Sequence, residues 1–362
     1  CTLKPMQRLL GNRALAPVAN FRCVQVETSA LQTKGVCGKH AESCGRVATA
    51  AACTNLLAPA ARDFATSRQA HRASVVAMSQ DLSRARGLQA LLNVVSRSLD
   101  SPLFDHKHCA QALVQLARCY LDELDSGRGA VAINVRQSAV IRQLAARQAK
   151  FLHDGRPRGR QLANVLWAVA TLQASAPPPI MNLTPPLAIA APARVQEMLP
   201  QELANTTWAV ARLPSACNND ALADAVQAEL ASRLRSAGSN YFKPQELANV
   251  TWALAALPAS GSSATVQRLS HCAADQVPRM SPQGVSMVAW SFAKLKAWSA
   301  RAALCPSIAR AVSSHTDGYD MRALATVSWS YAVLEAYDSA PCAALAAAAV
   351  RKLSAATPQA LV

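Results

Sequence analysis

Three polar positions recur at fixed spacing along this 362-residue chain, and their chemistry suits nucleic acid better than catalysis. In the fullest copies they are Gln201, Asn205 and Arg212, then Gln245, Asn249 and Ala256. Related sets are Arg160, Asn164 and Thr171; Gln283, Met287 and Lys294; and Arg322, Thr326 and Val333. Within each set the gaps are four and seven residues, which at about 100° per residue gathers all three on one stripe of a helix. Amides pair with base edges and guanidinium or ammonium groups with phosphate, so stacked helices of this kind would offer a single strand a ladder of both. Asn164, Asn205 and Asn249 equally suit a structural ladder, hydrogen-bonding between neighbouring helices or to loop backbone. The cations Arg160, Arg212, Lys294 and Arg322 vary from copy to copy, which suits readout more than scaffolding.

A second concentration of charge runs through Arg136, Arg142, Arg147, Lys150, Arg156, Arg158 and Arg160. Such a run serves either as a solvated face or as a set of phosphate contacts. Lys and Arg outnumber Asp and Glu by 37 to 21, a formal net charge of +16, which implies an acidic partner, nucleic acid first and anionic membrane second. The excess is uneven: residues 1–158 carry 22 basic and 10 acidic side chains, residues 159–362 carry 15 and 11.

Other chemistry is sparse. Cys37-Gly-Lys-His-Ala-Glu-Ser-Cys44, with Cys23 and Cys53 nearby, offers zinc ligands without a familiar spacing, and free thiols in a basic tail explain it as well. His106 and His108 beside Asp105 and Cys109 make a weaker set still. No metal-protease, P-loop, dinucleotide or nucleophile-elbow motif occurs, so neither an enzyme, nor a cofactor, nor a small-molecule substrate is expected. Eleven cysteines without framework spacing read as reduced thiols. No apolar run approaches the roughly 18 residues of a membrane span, so no membrane partner is expected.

The elements that carry the polar stripe are set by repetition. Gln201–Leu213 is written again, almost letter for letter, at Gln245–Leu257, with degraded copies at Arg160–Leu172, Gln283–Leu295 and Arg322–Leu334. Trp167, Trp208, Trp252, Trp290 and Trp329 mark the copies at separations of 41, 44, 38 and 39 residues. A fixed period in this range predicts an all-α chain, an α-solenoid of helix-turn-helix units of about 38–44 residues. The composition agrees, with 51% hydrophobic residues, many of them alanine, and only 5% aromatic. Pro200, Pro244 and Pro282 open first helices, where a missing N–H costs nothing. Second helices are expected at Asp220–Arg235, Ala264–Asp275, Arg301–Ser313 and Ala340–Ser354, and a proline-dense loop at Ala174–Pro186. On the first helix Leu203, Val210 and Leu213 form one apolar sector and Ala204, Ala211 and Trp208 another, which assigns the tryptophans to the core.

Three regions result: a basic, Ala/Ser-rich extension over 1–60, a basic helical region with degenerate repeats over 61–158, and the clear repeats over 159–362, the last of them cut short after Thr357. In the middle region helices are expected at Val75–Leu82, Leu88–Leu99, His108–Leu124 and Val131–Leu152. Leu91–Leu99 fits the repeat frame with Ser96 in place of tryptophan. The extension has seven cations against Glu27 and Glu42, the bias of an organelle-targeting leader and the tail behind it, and equally of a basic tail in any compartment. The chain begins at Cys1, so a segment upstream is expected.

The phrase Pro-Gln-Glu-Leu-Ala-Asn-x-x-Trp-Ala-x-Ala-x-Leu at Pro200–Leu213 and Pro244–Leu257 resembles the octotricopeptide repeat family of organellar RNA-binding proteins. Arg160–Leu172 fits well, the last two copies replace the asparagine by Met287 and Thr326, and the resemblance covers about 160–362. It implies an α-solenoid whose concave face holds RNA in mitochondria or chloroplasts. It also implies one of two roles: a ribosomal protein of mitochondria whose rRNA is fragmented, or a gene-specific factor for transcript maturation, stability or translation. The basic tail favours the first, a mitoribosomal subunit clamping an rRNA segment beside other ribosomal proteins. The transcript-specific factor is the alternative, and a protein-binding helical scaffold is a third possibility from another class.

Overall fold

The computed structural model describes residues 69–125, 135–173, 178–214, 219–238, 240–257, 263–315 and 318–336, with short helical pieces between 342 and 350. The extension over 1–60, the cysteines at 23–53 and the terminal Thr357–Val362 therefore lie outside the described residues. The chain divides into two units at Ala77 and Met78; of the first, only the helical residues 69–77 are described.

The fold is all-α. Its helices are α1 (69–84), α2 (Leu88–Ser98), α3 (His106–Asp125), α4 (Val135–His153), α5 (Gly159–Leu172), α6 (Pro178–Met181) and α7 (Thr184–Ala190). They continue with α8 (Pro200–Arg212), α9 (Asp220–Ser236), α10 (Pro244–Ala256), α11 (Ser263–Gln276), α12 (Pro282–Lys294), α13 (Arg301–Ser314) and α14 (Met321–Val333). In place of the loop expected at Ala174–Pro186 stand α6, the start of α7 and, after it, a 3-10 turn at Pro192–Glu197, prolines occupying first turns where their missing N–H is tolerated.

The motif letters are helix-building instructions. Pro200 and Pro244 open α8 and α10, and the following glutamates cap them: Glu202 accepts from the Leu199 N–H at 3.0 Å, Glu246 from the Lys243 N–H at 2.9 Å. Gln161 does the same for Arg158 at 3.1 Å, while Ser281 and Asp320 accept from the N–H groups of Gly284 and Ala323. Leucine or valine at the motif's first apolar position (Leu162, Leu203, Leu247, Val285, Leu324) and the residue seven later (Val169, Val210, Leu254, Phe292, Tyr331) are buried on the side opposite the polar stripe. Alanine or serine fills the flanks, as at Ala168, Ala209, Ala253, Ser291 and Ser330, letting neighbouring helices approach closely.

Two rows result. In the second unit α3, α5, α8, α10, α12 and α14 pack each on the next, a first row; α2, α4, α7, α9, α11 and α13 form the second, the 3-10 turn at Pro192–Glu197 bridging α7 and α9. Residues 78–84 of α1 touch α3, Gln111 donating to the Ser79 carbonyl at 2.7 Å. The repeat thus extends further back than its tryptophans. Leu91–Leu99 is not a first helix that has lost its tryptophan: it lies in α2, a second-row helix packed on α3 and α4, and the first-row place before α5 belongs to α3.

Loop polar groups are satisfied from the adjoining unit. Gln276 donates to the Phe242 carbonyl at 2.8 Å, Arg233 to Gln196 at 3.0 Å and Arg301 to Glu335 at 3.0 Å. Backbone groups without a helical partner thereby find one about a repeat away.

Candidate nucleic-acid interface

With both flanks of a first-row helix against its row and one side against the second row, the remaining side is the polar stripe. Its outer ends are open: Arg160, Gln245 and Arg322 are exposed at one end, Ala256 and Lys294 at the other, with Gln201, Gln283, Arg212 and Val333 half-buried. Its middle is closed. Asn249 is 3% exposed and accepts from the Gln245 amide at 3.2 Å, Met287 is 1% exposed, and Asn205 and Thr326 are buried as well; Asn164 alone of the middle residues is half-buried, and Thr171, at the far end of its set, is the one end residue that is buried. Asn205 and Asn249 are therefore closed to a ligand, Asn249 bonded within its own helix rather than to a neighbouring one, and the open chemistry lies with the flanking glutamines and cations.

The tryptophans stand on this same side. The residue five after the motif leucine falls at about 140° on the helix, roughly 20° from the first stripe position. Trp167 and Trp208 are buried there, at 4% and 3% exposure, but Trp252, Trp290 and Trp329 are half-buried. This corrects the assignment of all five to the core: the angle that grouped Trp208 with Ala204 and Ala211 places it nearer still to Gln201. Trp208 is sealed by its neighbours, the Trp252 ring centroid 6.4 Å away and the Arg212 guanidinium 4.9 Å above its ring. Burial pulls the Arg212 pKa down, and its Nε–H has no hydrogen-bond partner. Nor have the indole N–H groups of Trp208 and Trp252.

Arg160 apart, the basic run lies away from these faces and is divided in its work. Arg147 is structural: its guanidinium donates to the carbonyls of Phe104 (2.8 and 3.1 Å), Ser101 (2.9 Å) and Leu99, and it lies 5.9 and 5.7 Å from the Phe104 and Phe151 rings. With four of five N–H directions committed to the loop before α3, it leaves the set of phosphate contacts. Arg142 and Lys150 are exposed on one face of α4, in the second row. In the link to α5, Arg156 lies 3.9 Å from Asp154 and Arg158 3.9 Å from Glu197. The Arg136 side chain lies outside the described set.

His108 is buried with Nδ1 2.8 Å from the Asp105 carboxylate, whose oxygen caps α3 by accepting from the N–H groups of Lys107 and His108. The burial and bonding at this end of α3 describe a cap. Among the described residues no helix is long and apolar enough to cross a membrane.

Residues 111–257 match the family model for the N-terminal domain of the Tbc2 translation factor. The match runs from α3 to the end of α10 and takes in four first-row helices, so over about two fifths of its length the chain is similar to that domain. No curated protein matches the chain in sequence.

Proposed function

We propose that this chain is an organellar helical-repeat RNA-binding protein acting in translation, which holds single-stranded or irregular RNA along the open sides of its first-row helices. The charge of those sides carries the reading. The five first-row helices α5, α8, α10, α12 and α14 present Arg160, Arg212, Lys294 and Arg322, while their only carboxylates, Glu202 and Glu246, are occupied as N-terminal caps. Cations beside half-buried aromatic rings suit a ligand with phosphates and bases together. The likeness to a translation factor domain supports the process, and the octotricopeptide-like phrase supports both RNA and an organelle, mitochondrion ahead of chloroplast. No catalytic step forms part of the reading.

Two finer roles divide on different observations. The likeness of 111–257 to the translation factor domain supports a factor acting on a particular transcript, and we place that first. The basic excess of residues 1–158 supports a mitoribosomal subunit holding rRNA among ribosomal proteins, and that is the second reading. Crosslinking with residue-level mapping tests the shared claim: RNA adducts are expected on first-row helices, and adducts to protein alone would replace it with a helical scaffold. Sedimentation at high salt separates the two roles, a small particle carrying one messenger marking the factor and co-migration with ribosomal subunits marking the subunit.

A further inference from the structure

We propose that Trp252, Trp290 and Trp329 are stacking platforms for successive bases of the bound strand, with Lys294 and Arg322 on its phosphates. The inference rests on the RNA reading of the open sides and adds which part of the ligand the aromatic residues take. One position of the repeat holds tryptophan five times and treats it in two ways. At Trp167 and Trp208 the ring is closed over; in the last three repeats it is half-buried, on the same side of the helix as the exposed Lys294 and Arg322. A ring needed only for packing gains nothing from that exposure, whereas a base has two π-faces to offer any aromatic surface.

The occupant follows from charge. Lys294 and Arg322 are exposed on a side whose carboxylates are tied up as caps, whereas the Arg212 Nε–H and the indole N–H groups of Trp208 and Trp252 are buried out of a ligand's reach. A ligand rich in phosphate and carbonyl oxygens complements such a side; an acidic peptide would bring the charge but few flat rings. The contact of Arg212 with Trp208 shows the mode in miniature, a planar cation lying at 4.9 Å where a base would stack. That place being filled, the open platforms begin at Trp252 and run toward α14.

The test uses the full chain and a fluorescent degenerate pool of single-stranded RNA about 16 nucleotides long, enough for one binding site of this kind. Trp290→Leu with Trp329→Leu keeps apolar bulk and removes the π-face; Trp290→Phe with Trp329→Phe keeps both. The leucine pair should bind the pool about tenfold more weakly or worse, and the phenylalanine pair within about threefold of the parent. Neither should change the slope of affinity against salt, since no phosphate contact is lost, whereas Lys294→Ala with Arg322→Ala should flatten it by about one to two. Leucine variants that bind like the parent overturn the proposal and leave the RNA reading standing; a parent chain that ignores the pool removes both. If the leucine pair melts too low to assay, quenching decides: the fluorescence difference between parent and phenylalanine pair should fall on saturation with RNA, and a difference that stays constant overturns the stacking.

Discussion

Trp208 and Trp329 occupy the same position of the same repeat, yet one is sealed and the other half open. The difference lies in the residues one turn further along. Arg212 folds back over Trp208, and the neighbouring Trp252 ring lies 6.4 Å away; at the place in α14 corresponding to Arg212 stands Val333, too short to cover a ring. Arg147 and Arg322 make a parallel pair, one guanidinium spent on loop carbonyls and the other exposed. A repeat therefore fixes where a side chain stands, and its neighbours decide whether it serves the fold or a ligand.

The largest effect that could break this contrast is on stability. Trp208→Ala should lower it by about 3–5 kcal/mol in chemical denaturation, as for other large buried aromatic rings, and Trp329→Ala by about half that. Equal losses would erase the distinction between the two tryptophans. Arg147→Ala should cost about 2–3 kcal/mol, because three loop carbonyls lose a charged donor, while Arg322→Ala should leave the melting temperature nearly unchanged and weaken RNA binding instead.

Smaller effects sharpen the picture. Arg212→Ala with Lys294→Ala should weaken RNA binding and flatten its salt dependence with the helical content intact; unchanged affinity would move the RNA to Arg142 and Lys150 in the second row. Glu246→Ala should cost about 1 kcal/mol through the lost cap, with affinity for RNA unaltered, which separates the helix-building letters of the motif from its binding letters. In α3, which has no tryptophan, acid should report on the cap. Burial raises the Asp105 pKa, but hydrogen bonds from His108 and Lys107 outweigh it and hold it at about 2, below its ordinary 3.8. A depressed carboxylate contributes stability above its unfolded value and loses it as the pH falls toward the folded one, so melts from pH 4 down to about 2 should show a loss that Asp105→Asn lacks.

Much of the fold was legible because the motif is nearly self-describing: proline at the first turn, glutamate as cap, leucine for the core, alanine for close approach, and a period that tells each unit it has a neighbour. The place of α3 was not, since its row position is secured by packing against α5 and by hydrogen bonds from Gln111 and Gln115 to α1, none of which leaves a repeat letter. At the candidate site the flanking cations were visible and the structural use of Arg147 was not, because its partners are carbonyls 43 to 48 residues away. The face of the tryptophans was within reach of the helical wheel. The apolar sector shared with Ala204 and Ala211 points Trp208 inward, although its angle stands nearer still to Gln201.

The hydrogen bonds that cross from one unit to the next bear on how such a chain gives way. Three loops are finished by a side chain about one repeat distant, so a unit that loses its neighbour loses such a bond as well. Pulled by its ends in an optical trap, the chain should peel from a terminus in steps of one repeat, each releasing about 14 nm of contour for some 40 residues. A strand of RNA lying across several units would tie those steps together, turning a staircase into a single rupture.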